Sequence, residues 1–371
     1  MLAPERSVTL LEVLEPPDGY QLDVAVGTSY TLDLQALLAL PTAFALHHTP
    51  TRDAARADTT PLELLEALRA HAGAITVFTD AGHIKLPPTA GAGVFGFLEE
   101  SVVPVTAPGG GAFHPKVWAI RFVDDDGAFL HRLLVASRNL TFDRSWDTMV
   151  RLDEDADGED LPGVTDLLDG LLTLGDTSGQ LTPHRREAVQ DLTRSLTSAR
   201  FAPPEGFTSL RLHTLGLPEA TERWPFPADS RRSLVVSPFL SASAMERLRR
   251  ETRQLTVVSR VDELDHAYAT ITTAHPIAYE VNPNLVDPDE GAAELSGLHA
   301  KVFVFDTPGS TTHVFTGSAN ATTAAFSRNV EVTLELTGPT RGVGVNRWLD
   351  ESSPSLRSIL MPHTWGTPPD G

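Results

Sequence analysis

The feature that most constrains this 371-residue chain is that its pattern of elements is written twice. Residues 22–30 (LDVAVGTSY) predict a strand, 62–70 (LELLEALRA) an amphipathic helix and 74–78 (AITVF) a second strand. Residues 234–239 (LVVSPF), 243–252 (SAMERLRRET) and 255–259 (LTVVS) repeat that order. Each copy then reaches a His-x-Lys tripeptide, His114-Pro115-Lys116 or His299-Ala300-Lys301, and runs on as a strand (117–123 and 302–305). A turn rich in Asp, Gly or Pro leads to a return strand (133–136 and 313–316), which delivers Ser137-Arg138-Asn139 or Ser318-Ala319-Asn320. His299 follows His114 by 185 residues and Ser318 follows Ser137 by 181, so a whole unit is repeated. The chain divides accordingly into a first half (1–153), an acidic and helical insert (154–230) and a second half (231–371). Within the insert, 153–160 (DEDADGED) reads as an acidic loop, and 184–200 has apolar positions 189, 192, 196 and 199 at helical spacing.

Lysine usage singles out the same places. The 29 basic residues are 26 Arg and only 3 Lys, and all three lysines (Lys85, Lys116, Lys301) lie two residues after a histidine. With 13 histidines, one lysine has that neighbour by chance about one time in thirty. An ammonium is a compact point charge, suited to touching a phosphate where a planar guanidinium does not fit. On a strand, residues i and i+2 face the same way, so His114 with Lys116, and His299 with Lys301, point into one space. The hairpin adds Ser137 and Asn139, or Ser318 and Asn320, from the neighbouring strand. An imidazole, an ammonium, a hydroxyl and an amide from each half suit a tetrahedral phosphate: Lys and Asn bind non-bridging oxygens, and two imidazoles act on opposite sides of phosphorus.

Composition limits the alternatives. A chain 41% hydrophobic and 21% charged is globular, and a formal charge of −20 repels nucleic acid and anionic membranes except at a local basic cleft. The absence of cysteine excludes disulfides, thiolate zinc sites and cysteine nucleophiles. With no apolar run of about 20 residues and no apolar core in the first residues, a cytoplasmic protein without stable membrane association is expected. His83-Ile84-Lys85 lacks a Ser-x-Asn partner, and Pro87 and Pro88 cut its strand short, so it reads as surface, as does His47-His48. Asp153, Asp155, Asp157 and Gly158 follow the order of a calcium loop, but Val164 stands where a bidentate Glu is required, so the segment reads as a solvated linker. Gly109-Gly110-Gly111 has no Gly-Lys-Ser/Thr and reads as freeing the backbone before Phe113.

At these residues the sequence resembles the phospholipase D superfamily, whose HxKx4D motif occurs twice, each followed by a Gly/Ser-x-Asn element. His299, Lys301, Asp306, Gly317-Ser318-Ala319-Asn320 and Glu331 fit closely. The first copy has His114, Lys116, Ser137 and Asn139 but carries Arg121 where the second has Asp306. The tyrosyl-DNA phosphodiesterase branch also works without that Asp. The resemblance implies an α/β fold of two pseudo-symmetric mixed-sheet halves, flanked by helices, with the active site between them. It also implies a metal- and cofactor-free phosphodiesterase mechanism: His114 attacks phosphorus to give a phosphohistidine, His299 serves as acid and base, and Glu331 and Asp147 fix imidazole tautomers. Asp306 reads as structural more than catalytic. Among members the chain looks most like stand-alone bacterial nucleases found beside restriction and anti-phage systems, which implies a nucleic-acid substrate and a helicase or other defence subunit as partner. A phospholipid phosphodiesterase and a catalytically silent scaffold are the alternatives.

Overall fold

The computed structural model describes residues 10–47, 61–86, 93–142, 145–218, 220, 222–267, 277–282, 297–352 and 355–365. His48, Pro87 and Pro88 lie outside them. In chain order the strands are β1 (Tyr20–Ser29), β2 (Leu32–Asp33), β3 (Ile75–Asp80), β4 (Ile84–Lys85), β5 (Val102–Val105), β6 (Val117–Asp124), β7 (Phe129–Ala136), β8 (Met149–Asp160) and β9 (Arg200–Phe201). They continue as β10 (Ser209–Leu215), β11 (Arg232–Val236), β12 (Leu255–Val258), β13 (Ile277–Val281), β14 (Val302–Asp306), β15 (Thr311–Gly317), β16 (Glu331–Pro339) and β17 (Leu360–Pro362). The first large sheet has the order β5-β3-β1-β6-β7-β8-β9 and the second β10-β16-β15-β14-β11-β12-β13-β17. The duplication predicted from sequence is therefore a six-stranded one, with β5-β3-β1-β6-β7-β8 repeated as β13-β12-β11-β14-β15-β16. Pairing sense repeats as well: β3 and β12 run parallel to β1 and β11, and β6 and β14 run antiparallel to them.

The two sheets stack face to face, and alternation along each strand sorts side chains by size between two environments. Val24, Val26, Val117, Ala119, Leu133 and Val135 of the first sheet share one cluster with Leu234, Val236, Val302, Val304, Val314 and Leu334 of the second. The opposite faces carry the bulkier residues. Trp118, Ile120 and Phe122 pack outward with Leu37, Leu40 and Phe44 of helix α1 (Leu34–His47). Phe303, Phe305 and Phe315 pack with Met245 and Leu248 of helix α2 (Ala242–Arg250). Because both faces of each sheet are covered, the strands read in sequence as unbroken apolar runs.

Two segments of the insert behave differently from the sequence reading. The acidic stretch 153–160 is not a loop but the outer part of β8, which pairs with β7 as far as Asp153 and then with β9. Its carboxylates are tolerated in a strand because cations meet them: Arg132 and Arg151 donate to Asp153, and His131 to Glu154. The division at 153/154 thus falls inside a strand, and β10, within 154–230, pairs with β16 as an edge of the second sheet. Residues 163–178 and 183–196 form two helices that pack Leu167, Leu168, Leu171, Val189 and Leu192 into the central cluster. The second of these starts where Thr182 accepts a capping bond from the Arg185 amide.

Candidate active site

His114–Lys116 and His299–Lys301 are not strand residues but extended lead-ins to β6 and β14, and each is held by the opposite half. Phe113 bridges Val330, and the His114 amide donates to the Val330 carbonyl at 2.9 Å. Leu298 bridges Trp146, and the His299 and Ala300 amides both donate to the Trp146 carbonyl, at 3.0 and 2.8 Å. The glycine run explains how the first lead-in gets there. Gly109 and Gly110 have φ of +67° and +73°, the left-handed region, and a Cβ on Gly111 would sit 2.0 Å from the Arg328 carbonyl oxygen. Only a chain without side chains at this point can lie against the second half so closely.

The same interlocking crosses the carboxylates. His114 Nδ1 donates to Glu331 Oε2 at 2.9 Å, so the first half's imidazole is oriented by the second half's acid. His299 Nδ1 donates to Asp147 Oδ1 at 2.8 Å, the reverse exchange. Each acid is in turn held by a serine. Ser137 Oγ donates to Asp147 Oδ1 at 2.9 Å and accepts from the Thr148 amide at 2.9 Å. Ser318 Oγ donates to Glu331 Oε2 and accepts from the Val332 amide at 3.0 Å. Asn329 Nδ2 supplies Glu331 with a third donor at 3.1 Å. With Nδ1 committed to a carboxylate on both rings, each neutral imidazole carries its lone pair on Nε2.

Lys116 and Lys301 are only 2% and 1% exposed. Their ammonium groups donate back to the carbonyls of His114 and His299, at 2.9 and 2.6 Å, and Lys301 also reaches the Ser137 carbonyl at 3.4 Å. Burial, reinforced by Lys301, holds the Lys116 pKa well below the usual lysine value. Burial likewise pushes His114 down to about 4, against the opposing pull of Glu331. His299 is lowered by burial, with Asp147 opposing. Burial alone would raise Asp147 and Glu331, but the bonds and charges of their histidines outweigh it and both carboxyls lie below the usual range. Both imidazoles are therefore neutral at neutral pH, beside two buried lysines. Asn139 and Asn320 complete the symmetry, each with a buried Oδ1 that has no hydrogen-bond partner.

The structure thus brings together His114, Lys116, His299, Lys301, Glu331 and Asp147, and Asn139 and Asn320 each follow by two residues the serine that holds an acid. Ser137 and Ser318 are fully buried behind the acids and face no open space. Asp306 is elsewhere: it lies at the far end of β14, five residues and about 17 Å along the strand from Lys301. There its Oδ1 accepts from Thr312 Oγ1 at 2.8 Å and the Val345 amide at 3.1 Å, and its Oδ2 pairs with Arg232 at 3.2 Å. The corresponding position in the first half, Arg121, makes the same pair with its charges exchanged, donating to Asp23 of β1 at 2.6 Å as well as to Asp191 at 2.6 Å. The departure from the motif is an ion pair of reversed polarity between matching strands.

His83 is the residue whose position the sequence pattern missed. Its ring packs at a tilt against Tyr30, 4.1 Å between centroids, and the Tyr30 ring meets that of His114 obliquely at 5.1 Å. The signal is absent from the sequence because Tyr30, Asp80 and His83 carry no shared spacing with the duplicated motif. Among the described residues no group of three or more His, Asp or Glu is arranged to hold a metal ion.

No family model and no curated protein sequence matches this chain. Solved structures do. Yeast tyrosyl-DNA phosphodiesterase superposes with a TM-score of 0.53 at 13% identity, covering 91% of this chain and 87% of that one. The SCAN1 mutant of yeast tyrosyl-DNA phosphodiesterase 1 gives 0.55 at 13% identity, with the same coverage of 91% and 87%. A histidine-to-alanine mutant of the yeast enzyme gives 0.52 at 12% identity, covering 90% and 86%. The likeness spans both halves and the insert, and the fold is the duplicated two-sheet fold of these tyrosyl-DNA phosphodiesterase structures.

Proposed function

We propose that this chain is a phosphodiesterase of the phospholipase D type that cleaves nucleic acid through a phosphohistidine. The observation that carries the reading is the crossed pair of histidine–carboxylate contacts, which sets two neutral imidazoles, one from each half, beside two buried ammonium groups. In the first step His114 Nε2 attacks phosphorus and the bond to the leaving oxygen breaks, His299 giving that oxygen its proton. In the second, His299 takes a proton from water, the water oxygen attacks phosphorus, and the bond to His114 breaks. Burial lowers His299 first and the charges of Lys301 and Lys116 add to it; a phosphodiester anion between the two lysines offsets that added repulsion, so substrate binding itself favours the protonated acid. The lysines and the asparagine amides bind the non-bridging oxygens, so charge stabilisation comes from side chains and no metal takes part.

The similarity to enzymes named for action on tyrosyl-DNA supports nucleic acid as the substrate class, and the charge of −20 confines it to the cleft. No helix among the described residues is long and apolar enough to cross a membrane. A defence role with a helicase or similar partner, in the cytoplasm, extends the reading on sequence resemblance alone; phage plating on cells with and without the His114→Ala gene tests it. The biochemical test is hydrolysis of single- and double-stranded DNA and RNA beside phosphatidylcholine vesicles, in excess EDTA. Nucleic-acid cleavage that is lost in folded His114→Ala and His299→Ala proteins, with acid-labile label trapped on His114, is the expected result. Turnover of lipid alone would replace the reading with a phospholipase, and a strict divalent-metal requirement would end the phosphohistidine mechanism.

A further inference from the structure

The half-site around His114 carries a second, unduplicated polar chain. Asp80 Oδ1 accepts from His83 Nδ1 at 2.7 Å and from the Gly82 amide at 3.2 Å, while its Oδ2 accepts from the amide of Phe113, the residue before His114, at 3.0 Å. His83 Nε2 lies 2.7 Å from the Tyr30 hydroxyl. The Tyr30 ring touches both the His83 and the His114 ring, and Lys116 Nζ stands 5.9 Å from its centroid. His83 is 42% exposed, so this chain runs from solvent to the edge of the reaction site.

Nothing in the fold requires it. Ser29 and Ser237 occupy matching positions, each hydroxyl donating to a carbonyl two residues on and accepting from the amide after the site asparagine. Tyr30 therefore corresponds to Pro238. By the same register Asp80 corresponds to Arg260, since Ser29 faces Thr79 and Ser259 bonds Ser237. The second half builds an equivalent site with neither a phenol at the place of Tyr30 nor a carboxylate at the place of Asp80.

Hydrogen-bond roles follow from the donor inventory. The Asp80 carboxylate only accepts, so His83 Nδ1 carries the proton; in the neutral ring Nε2 is then an acceptor, and the Tyr30 hydroxyl must spend its proton there. The phenol oxygen keeps only lone pairs for a ligand. Phosphate oxygens are acceptors too, and Asp80 is an anion, so this mouth does not serve as a further phosphate site. Resting on the phosphodiesterase reading above, we infer that Tyr30, with its proton held by His83 and Asp80, is a specificity-determining residue that accepts a hydrogen bond from a donor on the substrate flanking the scissile phosphate. Nucleic acid offers two such donors, a ribose 2′-hydroxyl and a base amino group. A site with a committed acceptor rejects the analogue that leaves it unpaired.

The test compares kcat/KM at pH 8. One arm uses oligonucleotides with ribose or deoxyribose at the residues flanking a single cleavable bond. The other pairs adenine with purine, which lacks the amino group. Bis(p-nitrophenyl) phosphate, which has no donor, reports phosphodiester chemistry alone. The wild-type protein is expected to favour the donor-bearing member of one arm by about three- to tenfold, the worth of one neutral hydrogen bond. The arm in which the preference shows identifies the donor. In Tyr30→Phe the ratio is expected to fall to about one, and in His83→Ala, which alters only a half-exposed side chain and leaves the phenol able to donate as well as accept, to fall partway toward one. Hydrolysis of bis(p-nitrophenyl) phosphate without discrimination in either arm, or discrimination that survives both substitutions, would overturn the inference and leave the phosphodiesterase reading standing. Inertness toward every substrate would remove both.

Discussion

Glu331→Gln tests the crossing of the two halves. Glu331 is fully buried and takes three donors, from His114 Nδ1, Ser318 Oγ and Asn329 Nδ2. A glutamine has one acceptor oxygen and an NH2 that must face at least one of those donors, so no flip satisfies the site. At least one charge-assisted bond is lost, worth about 1.5–3 kcal/mol, which converts to a roughly 10- to 150-fold slower step if the loss is felt in the transition state. Because Glu331 touches His114 and not the histidine of its own half, that step is formation of the phosphohistidine. Its rate is measured by rapid-quench trapping of labelled enzyme in a single turnover. Glu331 also pulls the His114 pKa upward, so its removal shifts the acid limb of the formation rate, set by a group near 4, to lower pH. The companion Asp147→Asn acts on His299, and slows departure of the leaving group and hydrolysis of the intermediate. If Glu331→Gln forms the phosphoenzyme at the wild-type rate and slows only its hydrolysis, the assignment of carboxylates across the halves is wrong.

Three further outcomes are expected. His213 donates to Glu222 and Glu335, at 2.7 and 2.8 Å; burial opposes its charge but these bonds outweigh it, so its folded pKa is raised. Its stabilisation is full below the unfolded value of about 6.5 and is lost as pH rises through the raised one, so denaturation midpoints of wild type and His213→Gln should differ most at low pH and converge in alkali. Asp306→Ala removes the partner of Arg232, Thr312 and the Val345 amide, and should cost about 1–3 kcal/mol in urea unfolding while the rate per folded molecule is retained; a selective loss of rate would return Asp306 to the site. Gly111→Ala places a methyl group against the Arg328 carbonyl and should destabilise by about 1–3 kcal/mol, with activity falling because the displaced segment leads into His114; wild-type activity and stability would refute the close approach.

What the sequence determined by itself is local and repetitive. Strand after strand of both copies falls within a few residues of its predicted place, because apolar runs between turn residues specify strands wherever both faces are covered. The rarity of lysine marked Lys116 and Lys301, and the repeat marked the residues around them. Periodicity carries no information about which side chain of one copy meets which of the other. Partners 217 and 152 residues apart, Glu331 with His114 and Asp147 with His299, are chosen when the two sheets dock face to face and each lead-in crosses to the opposite half. The same docking decides the rest. The acidic stretch 153–160 becomes strand because β7 and β9 lie beside it and arginines meet its charges, and the missing acid of the first motif is balanced by Asp23 on the neighbouring strand. His83 reaches the edge of the candidate site through Tyr30, 53 residues earlier, an encounter of two loops at the ends of parallel strands that no pattern within either loop could announce.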